Sequence, residues 1–170
     1  ITSCEEDRSR LENEAKTVVG VAREQELIGL IAIADTLKED AHDAIELLRK
    51  RGVETIMITG DNKATARAIA ATLGITEVFA EVLPEEKQLK VKEIQNKGRS
   101  VAFVGDGIND APALVQADLG IAVGTGTDIA IEAGNIVLVK GSPAKVAEAL
   151  ALSQATFRTI MQNMFWAFGY

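Results

Sequence analysis

The sequence is poor in the residues on which several common kinds of site depend. Its 170 residues include one cysteine and one histidine, which excludes an internal disulfide and makes a Cys/His zinc or haem site improbable. Aromatic residues make up 4% of the chain, too few for a surface that stacks on single-stranded nucleic acid. The net charge is −7, the opposite of the basic surface of a nucleic-acid-binding protein. The sequence contains no run of about 18 apolar residues, so it predicts no complete transmembrane helix.

What remains is the composition of a folded domain, with 47% hydrophobic and 25% charged residues. The chain begins without an initiator methionine and stops within the apolar stretch 161–170, which holds four of its seven aromatic residues. Trp166 and Tyr170 give this stretch the composition of a segment that enters a membrane, although the stretch taken alone favours a C-terminal core helix. We therefore expect the chain to be a piece of a larger protein.

The apolar pattern changes near Asp35. Before it, two β-branched runs, 17–22 and 27–34, flank a charged turn and predict a β-hairpin. After it, short apolar strands alternate with helices, which is typical of a parallel sheet covered on both faces. The predicted strands are 53–59, 77–80, 100–104, 119–123 and 135–139, and the predicted helices are 38–51, 62–73, 84–97, 110–116, 127–132 and one from 143 onward. The fold class is thus α/β, a doubly wound and mostly parallel sheet preceded by a hairpin.

Ligands in open α/β sheets bind beyond the carboxyl ends of the strands, and polar residues follow two of the predicted strands. Thr59, Gly60 and Asp61 end the first of these strands and offer a hydroxyl and backbone N–H groups to a phosphate. A strand followed by a helix that Asp61 caps explains the same three residues equally well. Lys87, in the first turn of a predicted helix, is on its own a typical surface lysine.

The run Gly-Asp-Gly-Ile-Asn-Asp-Ala-Pro, 105–112, is the most specific feature of the chain. It places Asp106, Asn109 and Asp110 within five positions, and such oxygen ligands suit Mg²⁺. Single Asp-Gly pairs are usually turns, but an eight-residue run at a strand end favours a metal site. The later run 124–128 lacks the third glycine of a dinucleotide-binding loop, so we interpret it as a turn with Thr127 or Asp128 capping a helix.

Three segments, in their order along the chain, resemble the haloacid dehalogenase superfamily, and more closely the phosphorylation domain of P-type ATPases. They are Thr59-Gly60-Asp61, the segment 83–87 (Leu-Pro-Glu-Glu-Lys) and the run 105–112. The stretch 104–132 is most similar to the heavy-metal-transporting subgroup. Asp35-Thr36-Leu37-Lys38 resembles the hinge between the nucleotide-binding and phosphorylation domains. The resemblance implies three divisions: the tail of the nucleotide-binding domain at 1–34, the phosphorylation domain at 35–152, and the start of a membrane helix at 153–170.

The resemblance also implies a role for each matching residue. Asp106 and Asp110 hold Mg²⁺, and Lys87 and Thr59 contact the transferred phosphoryl group. Asn109 and Asp110 organise the loop, while Asp61, next to Gly60, lies beside the nucleotide or the approaching dephosphorylation domain. The implied cofactors are therefore Mg²⁺ and ATP. The implied partners are ATP, a transported metal ion and a membrane reached through helices outside this chain, with no nucleic acid.

One element of the family pattern is absent. The family nucleophile is the aspartate of Asp-Lys-Thr-Gly-Thr, and the chain contains no such run. Asp35 ends a strand, but the residues after it do not match, so we assign it to the hinge. The leading hypothesis is part of the cytoplasmic catalytic region of a metal-exporting P-type ATPase, inactive alone. A soluble phosphatase of the same superfamily and a non-catalytic Mg²⁺-binding module are the alternatives.

The last helix suggests the transported ion. In the copper(I) subgroup, the membrane helix after the phosphorylation domain carries Asn, six residues, then Tyr and Asn; Asn163 and Tyr170 are similar to this pattern. The zinc and cadmium subgroup has a lysine there, and no lysine follows Lys145. The pattern consists of two residues, and residues seven positions apart lie near the same face of any helix. Two ordinary residues on a helix surface are therefore the alternative explanation. The resemblance implies Cu(I).

Overall fold

The computed structural model describes residues 2–14, 16–34, 37–105, 108–123, 134–139 and 141–169. This description does not include Ala15, Asp35, Thr36, Asp106, Tyr170 or the predicted turn and helix at 124–132. The elements are α1 (Thr2–Asn13), β1 (Lys16–Arg23), β2 (Glu26–Ala34), α2 (Ala41–Lys50), β3 (Ile56–Ile58), α3 (Lys63–Leu73), β4 (Glu77–Phe79), α4 (Pro84–Asn96), β5 (Ala102–Gly105), a 3₁₀ turn (Ile108–Asp110), α5 (Ala111–Gln116), β6 (Leu119–Val123), β7 (Ile136–Leu138) and α6 (Ala144–Gly169).

The predicted hairpin is confirmed. β1 and β2 pair in antiparallel register from Lys16 opposite Ala34 to Arg23 opposite Glu26. The two residues between the strands, Glu24 and Gln25, have φ values of 49° and 74°. Left-handed backbone at both positions suits the right-handed twist of a tight hairpin, even though neither residue is glycine. The hairpin and α1 pack together as an N-terminal unit.

The α/β class is also confirmed, but the parallel strands do not form one sheet in the described residues. β3 pairs with β4 in one sheet, and β6 lies between β5 and β7 in another, all in parallel register. Between β3 and β5 lies a cavity of about 730 Å³, to which both strands and the helices α2, α4 and α6 contribute lining residues. We call this cavity the slot.

The main apolar core lies beside the slot. Its buried members come from α4, β5 and α5, and they are Val91, Phe103, Ala113 and Leu114. Ile58 of β3 packs against the same cluster, so side chains connect the two sheets where backbone hydrogen bonds do not. Because α4 and α5 pack on this core, the residues at their first turns are held at the carboxyl ends of the strands.

The structure corrects the predicted cap of α3. The helix begins at Lys63, and the side chain of Asn62, not that of Asp61, accepts a hydrogen bond from the backbone N–H of Thr65 at 2.9 Å. At the other end Gly74 is left-handed, with φ of 69°, as expected for a glycine that terminates a helix. Asp61 is therefore free for other contacts.

The final helix, α6, has two parts. Its first turns pack on α2, where Asp40 accepts a hydrogen bond from the Ser142 hydroxyl and Arg51 donates to Gln154 at 2.9 Å. The Ser142 hydrogen bond is the main reason that the pKa of Asp40 is lowered. All residues from 152 to 169 are exposed, so this part does not belong to the core. Among the described residues, none of the helices combines the length and the hydrophobicity that a membrane span requires.

Candidate functional site

An ion pair between Lys87 and Asp110 is the centre of the candidate site. α4 begins at Pro84, and the Glu86 carboxylate accepts the Leu83 N–H at 3.0 Å, which fixes the first turn and with it Lys87. Lys87 Nζ donates to Asp110 Oδ1 at 2.7 Å. The side chains are 18% and 10% exposed, so water screens this pair far less than the surface pairs of the chain. The carboxylate thus holds the ammonium in one place.

Gly105 makes room for this carboxylate. A Cβ at Gly105 would lie 2.7 Å from Asp110 Cβ and 2.8 Å from Asp110 Oδ2. Real Cβ atoms essentially never come so close to another heavy atom, so position 105 needs glycine for steric reasons. The close approach brings Asp110 directly over the end of β5.

Thr59, Gly60 and Asp61 form a second group at the end of β3. The Thr59 hydroxyl donates to Asp61 Oδ2 at 2.8 Å and accepts the Asp61 N–H at 3.1 Å. Gly60 is exposed, and its N–H has no hydrogen-bond partner in the residues that the structure describes. A hydroxyl and an unengaged backbone N–H are donors that a phosphoryl oxygen can accept from.

The segment before α4 connects the two groups. Val82 N–H donates to the Thr59 carbonyl at 3.0 Å, and Glu81 N–H donates to the Asp61 carbonyl at 2.9 Å. Glu81 has a φ of 58°, a left-handed conformation that non-glycine residues adopt at a cost of about 1–3 kcal/mol. The helix that carries Lys87 therefore starts against the loop that carries Thr59.

The predicted site residues are thus only partly brought together. Lys87 and Asp110 touch, whereas no hydrogen bond joins them to Thr59 within the described ranges. Asn109 is exposed beside Asp110, and Asp106 lies outside the described residues.

Two features of this region differ from the sequence-based expectation or go beyond it. The steric need for glycine at position 105 was not predicted, although Gly105 begins the run 105–112. The cap of α3 is Asn62, one position after the predicted Asp61.

A family model described as haloacid dehalogenase-like hydrolase matches residues 2–118, more than half of the chain. The chain belongs to the haloacid dehalogenase-like hydrolase family. This membership confirms the superfamily resemblance inferred from the three motifs.

Curated relatives are similar over nearly all of the chain. The copper-exporting P-type ATPase of Staphylococcus aureus strain JH9 is 51% identical over 165 residues, and that of the bovine strain RF122 / ET3-1 is 52% identical over 165 residues. Each alignment covers 97% of this chain and 21% of the relative, so the chain spans about a fifth of their length.

Solved structures show the same likeness. A zinc-transporting PIB-type ATPase in the E2.Pi state aligns with a TM-score of 0.83 at 40% identity, covering 99% of this chain and 28% of that one. The catalytic domain of the CPx-ATPase CopB-B aligns with a TM-score of 0.62 at 27% identity, covering 76% of this chain and 52% of that one. The predicted similarity to heavy-metal P-type ATPases is therefore confirmed.

Proposed function

We propose that the chain is part of the catalytic region of an ATP-driven heavy-metal pump that works through an aspartyl-phosphate, on the cytoplasmic side of an integral membrane protein. The observation that carries this proposal is the 2.7 Å Lys87–Asp110 pair beside the Thr59 loop. A held ammonium group near the Gly60 N–H and the Thr59 hydroxyl suits the negative charge that spreads during phosphoryl transfer. Similarity to copper-exporting and zinc-transporting ATPases favours this pump over a soluble phosphatase.

The nucleophile comes from a strand outside this sequence in our proposal, and the slot is where that strand inserts. In the described residues neither β3 nor β5 has a backbone partner on the side facing the slot, and the lining is mostly apolar. A strand buried on both faces needs such a lining. At about 3.3 Å per residue, four or five residues are enough to run beside β5 and to end near Lys87. We also propose the divisions 1–34, 35–152 and 153–170, which the family resemblance implies.

The residues of this chain then have distinct tasks. The Lys87 ammonium donates to a phosphoryl oxygen while Asp110 keeps it oriented. The Thr59 hydroxyl, which donates to Asp61 in the described state, turns its proton to a second phosphoryl oxygen, and the Gly60 N–H donates to the same group. Asn109, next to Asp110, organises the loop. The Lys87 ammonium and the Gly60 N–H are in place before the charge develops, which lowers the barrier, and the Thr59 hydroxyl only has to rotate its proton.

Mg²⁺ fits the same strand end. Gly105 allows Asp110 to lie over the end of β5, and Asp106 follows Gly105 directly in the sequence. We propose that Asp106 and Asp110 hold the ion, since Mg²⁺ takes one or two carboxylates with substrate phosphate and water. When bound, the ion screens the negative charge of the phosphoryl group.

The test uses the full-length enzyme and measures phosphoenzyme formed from labelled ATP. Lys87→Met and Asp106→Asn should each lower its formation by about 100-fold or more, because the first removes the ammonium that faces the phosphoryl group and the second removes a ligand of Mg²⁺. Lys90→Met is the matched control: Lys90 lies on the same helix, 5.0 Å from the centre of the Phe79 ring and away from Asp110. Wild-type phosphorylation in Lys87→Met would contradict the proposed function.

We further propose that the transported ion is Cu(I). Asn163 supports this, as does the absence of lysine after Lys145, while the relatives' names include both copper and zinc. Asparagine and tyrosine are hard ligands, so softer ones from other helices have to complete the site. We expect Cu(I) or Ag(I) to stimulate the ATPase activity of the full-length protein, and Zn²⁺ or Cd²⁺ to stimulate it little. Stimulation by Zn²⁺ with none by Cu(I) would overturn the copper assignment alone.

A further inference from the structure

The buried hydroxyl of Thr65 joins the N-terminal unit to the rest of the molecule. Thr65 lies in the first turn of α3 and is 2% exposed. Its hydroxyl donates at 3.2 Å to the carbonyl oxygen of Lys16, the first residue of β1. Among the described residues, no other hydrogen bond or ion pair joins residues 2–34 to residues 37–169. We call this contact the latch.

The latch bonds the base of the hairpin to the candidate site. The Thr65 N–H donates to the side chain of Asn62, which directly follows the loop at the end of β3, so Thr65 is tied to that loop. Lys16 pairs with Ala34, the last residue of β2, so the contact lies where the hairpin continues into the α/β part. The hairpin extends about 23 Å from Lys16 to Arg23 at about 3.3 Å per residue. A tilt at the latch therefore moves the far end of the hairpin much further than it moves Thr65.

From this arrangement we infer that Thr65 is a positioning residue for phosphoryl transfer from ATP: its hydroxyl holds the N-terminal unit in the orientation that places the nucleotide at the Lys87–Asp110 pair. This inference rests on the proposed function, in which the N-terminal unit is the tail of the nucleotide-binding domain. Neither Thr65 nor Lys16 lines the slot, so a strand inserted between β3 and β5 leaves the latch in place. A carbonyl oxygen has two lone pairs, so a further strand beside β1 does not displace the Thr65 hydroxyl either.

The two groups on the Thr65 Cβ atom separate positioning from stability. The methyl group packs in a buried position, whereas the hydroxyl forms the latch. Valine keeps the volume of threonine and removes the donor, and serine keeps the donor and removes the methyl group. One hydrogen bond shifts an equilibrium by a factor of about five. Loss of the hydroxyl should therefore lower the population of the placed orientation, and with it the rate of transfer from ATP, about fivefold.

The experiment forms the phosphoenzyme of the full-length enzyme in two ways. Labelled ATP needs both units. Labelled inorganic phosphate needs no nucleotide, because it reverses aspartyl-phosphate hydrolysis: the carboxylate and phosphate join as the acyl phosphate and release water.

We expect Thr65→Val to lower the rate from saturating ATP about fivefold and to leave labelling from phosphate unchanged. Thr65→Ser should keep the wild-type rate from ATP and lower the unfolding midpoint, since it removes a buried methyl group. Thr72→Val is the control, because the Thr72 hydroxyl bonds within α3, to the Ala68 carbonyl at 3.0 Å. It should leave both labelling reactions unchanged.

The outcomes distinguish this inference from the proposed function. A wild-type rate from ATP in Thr65→Val, together with a lost rate in Lys87→Met, would overturn the inference and leave the proposed function standing. Equal losses from ATP and from phosphate in Thr65→Val would also overturn it, because Thr65 would then act on the phosphoryl site itself. A rate in Thr65→Ser as low as that in Thr65→Val would show that packing, not the hydroxyl, is the cause. Wild-type labelling in Lys87→Met would contradict the proposed function, and this inference with it.

Discussion

The two strand ends that carry the candidate site are built in different ways. At the end of β5, Asp110 is buried, pairs with Lys87 and leaves no room for a side chain at Gly105. At the end of β3, Gly60 and Asp61 are exposed, and the loop is held by hydrogen bonds between Thr59 and Asp61 and from the backbone of Glu81 and Val82. The β5 end is therefore fixed by packing and buried charge, whereas the β3 end depends on hydrogen bonds that are exposed to water.

The largest effect should come from Asp110→Ala, which leaves the Lys87 ammonium mostly buried without its partner. Breaking a buried pair costs about 3–5 kcal/mol, and we expect about 3 kcal/mol because Lys87 keeps some contact with water. Urea unfolding at unchanged m-value measures it. The double variant Lys87→Met, Asp110→Leu should regain most of the loss, and Asp61→Ala should stay within about 0.5 kcal/mol. Equal costs at Asp110 and Asp61 would remove the contrast between the strand ends.

A matched pair of glycine substitutions sharpens the comparison. Gly105→Ala inserts a methyl group into atoms of Asp110 and should destabilise the fold by about 1–3 kcal/mol, as overpacking does. Gly60→Ala meets only the Val82 carbonyl oxygen, at 3.5 Å, and should cost less than about 0.5 kcal/mol. The same urea titration measures both. Similar costs for the two variants would mean that the β5 end has more room than its geometry implies.

The β3 end has one local feature of measurable strength, the cap of α3. Asn62→Ala should cost about 1 kcal/mol, since it removes the acceptor for the Thr65 N–H. Asp61→Ala should not show this loss, which makes the adjacent residue its control. Thermal unfolding followed by circular dichroism distinguishes the two. A larger loss at Asp61 would return the cap to the residue that the sequence pattern suggested.

The smallest effect is a dependence on pH at the start of the β5 sheet. The Val101 N–H donates to Asp118 Oδ2 at 2.8 Å, and this bond, with one from Gln95, lowers the pKa of Asp118. Because the folded pKa lies below the unfolded value of about 3.9, the stabilisation is present above about pH 4 and is lost as the pH falls through the folded pKa. The difference in stability between wild type and Asp118→Asn should therefore shrink on acidification. A difference that grows below pH 4 would contradict this sign.

Much of the fold could be predicted from the sequence because its signals are local. The strand 119–123 was predicted with its observed bounds, since five mostly apolar residues lie between Asp118 and a glycine. The strand predicted at 53–59 is observed only at 56–58, because Val53 and Glu54 are exposed and outside the pairing with β4.

The site was harder to predict because it depends on distant packing. Lys87 and Asp110 were both selected, but their direct contact joins residues 23 positions apart through the packing of α4 on α5. The ion pairs of Arg99 with Glu54 and Glu77 could not be predicted from the sequence, since a lone arginine before a strand resembles any surface residue. The gap between β3 and β5 could not be predicted from the alternation of strands and helices either, because that alternation does not give the order of the strands across a sheet.

The central claim is that this chain supplies the Lys87 ammonium and the hydrogen-bond donors of Thr59 and Gly60 to a phosphoryl site whose nucleophile lies on another segment. The most direct test incubates the purified chain, and separately the full-length protein, with labelled ATP and Mg²⁺, followed by an acid quench. We predict acid-stable, hydroxylamine-sensitive label on the full-length protein and none on this chain, because it contains no Asp-Lys-Thr-Gly-Thr run. Such label on this chain alone would contradict the account, and Asp35 would then be the first residue to replace.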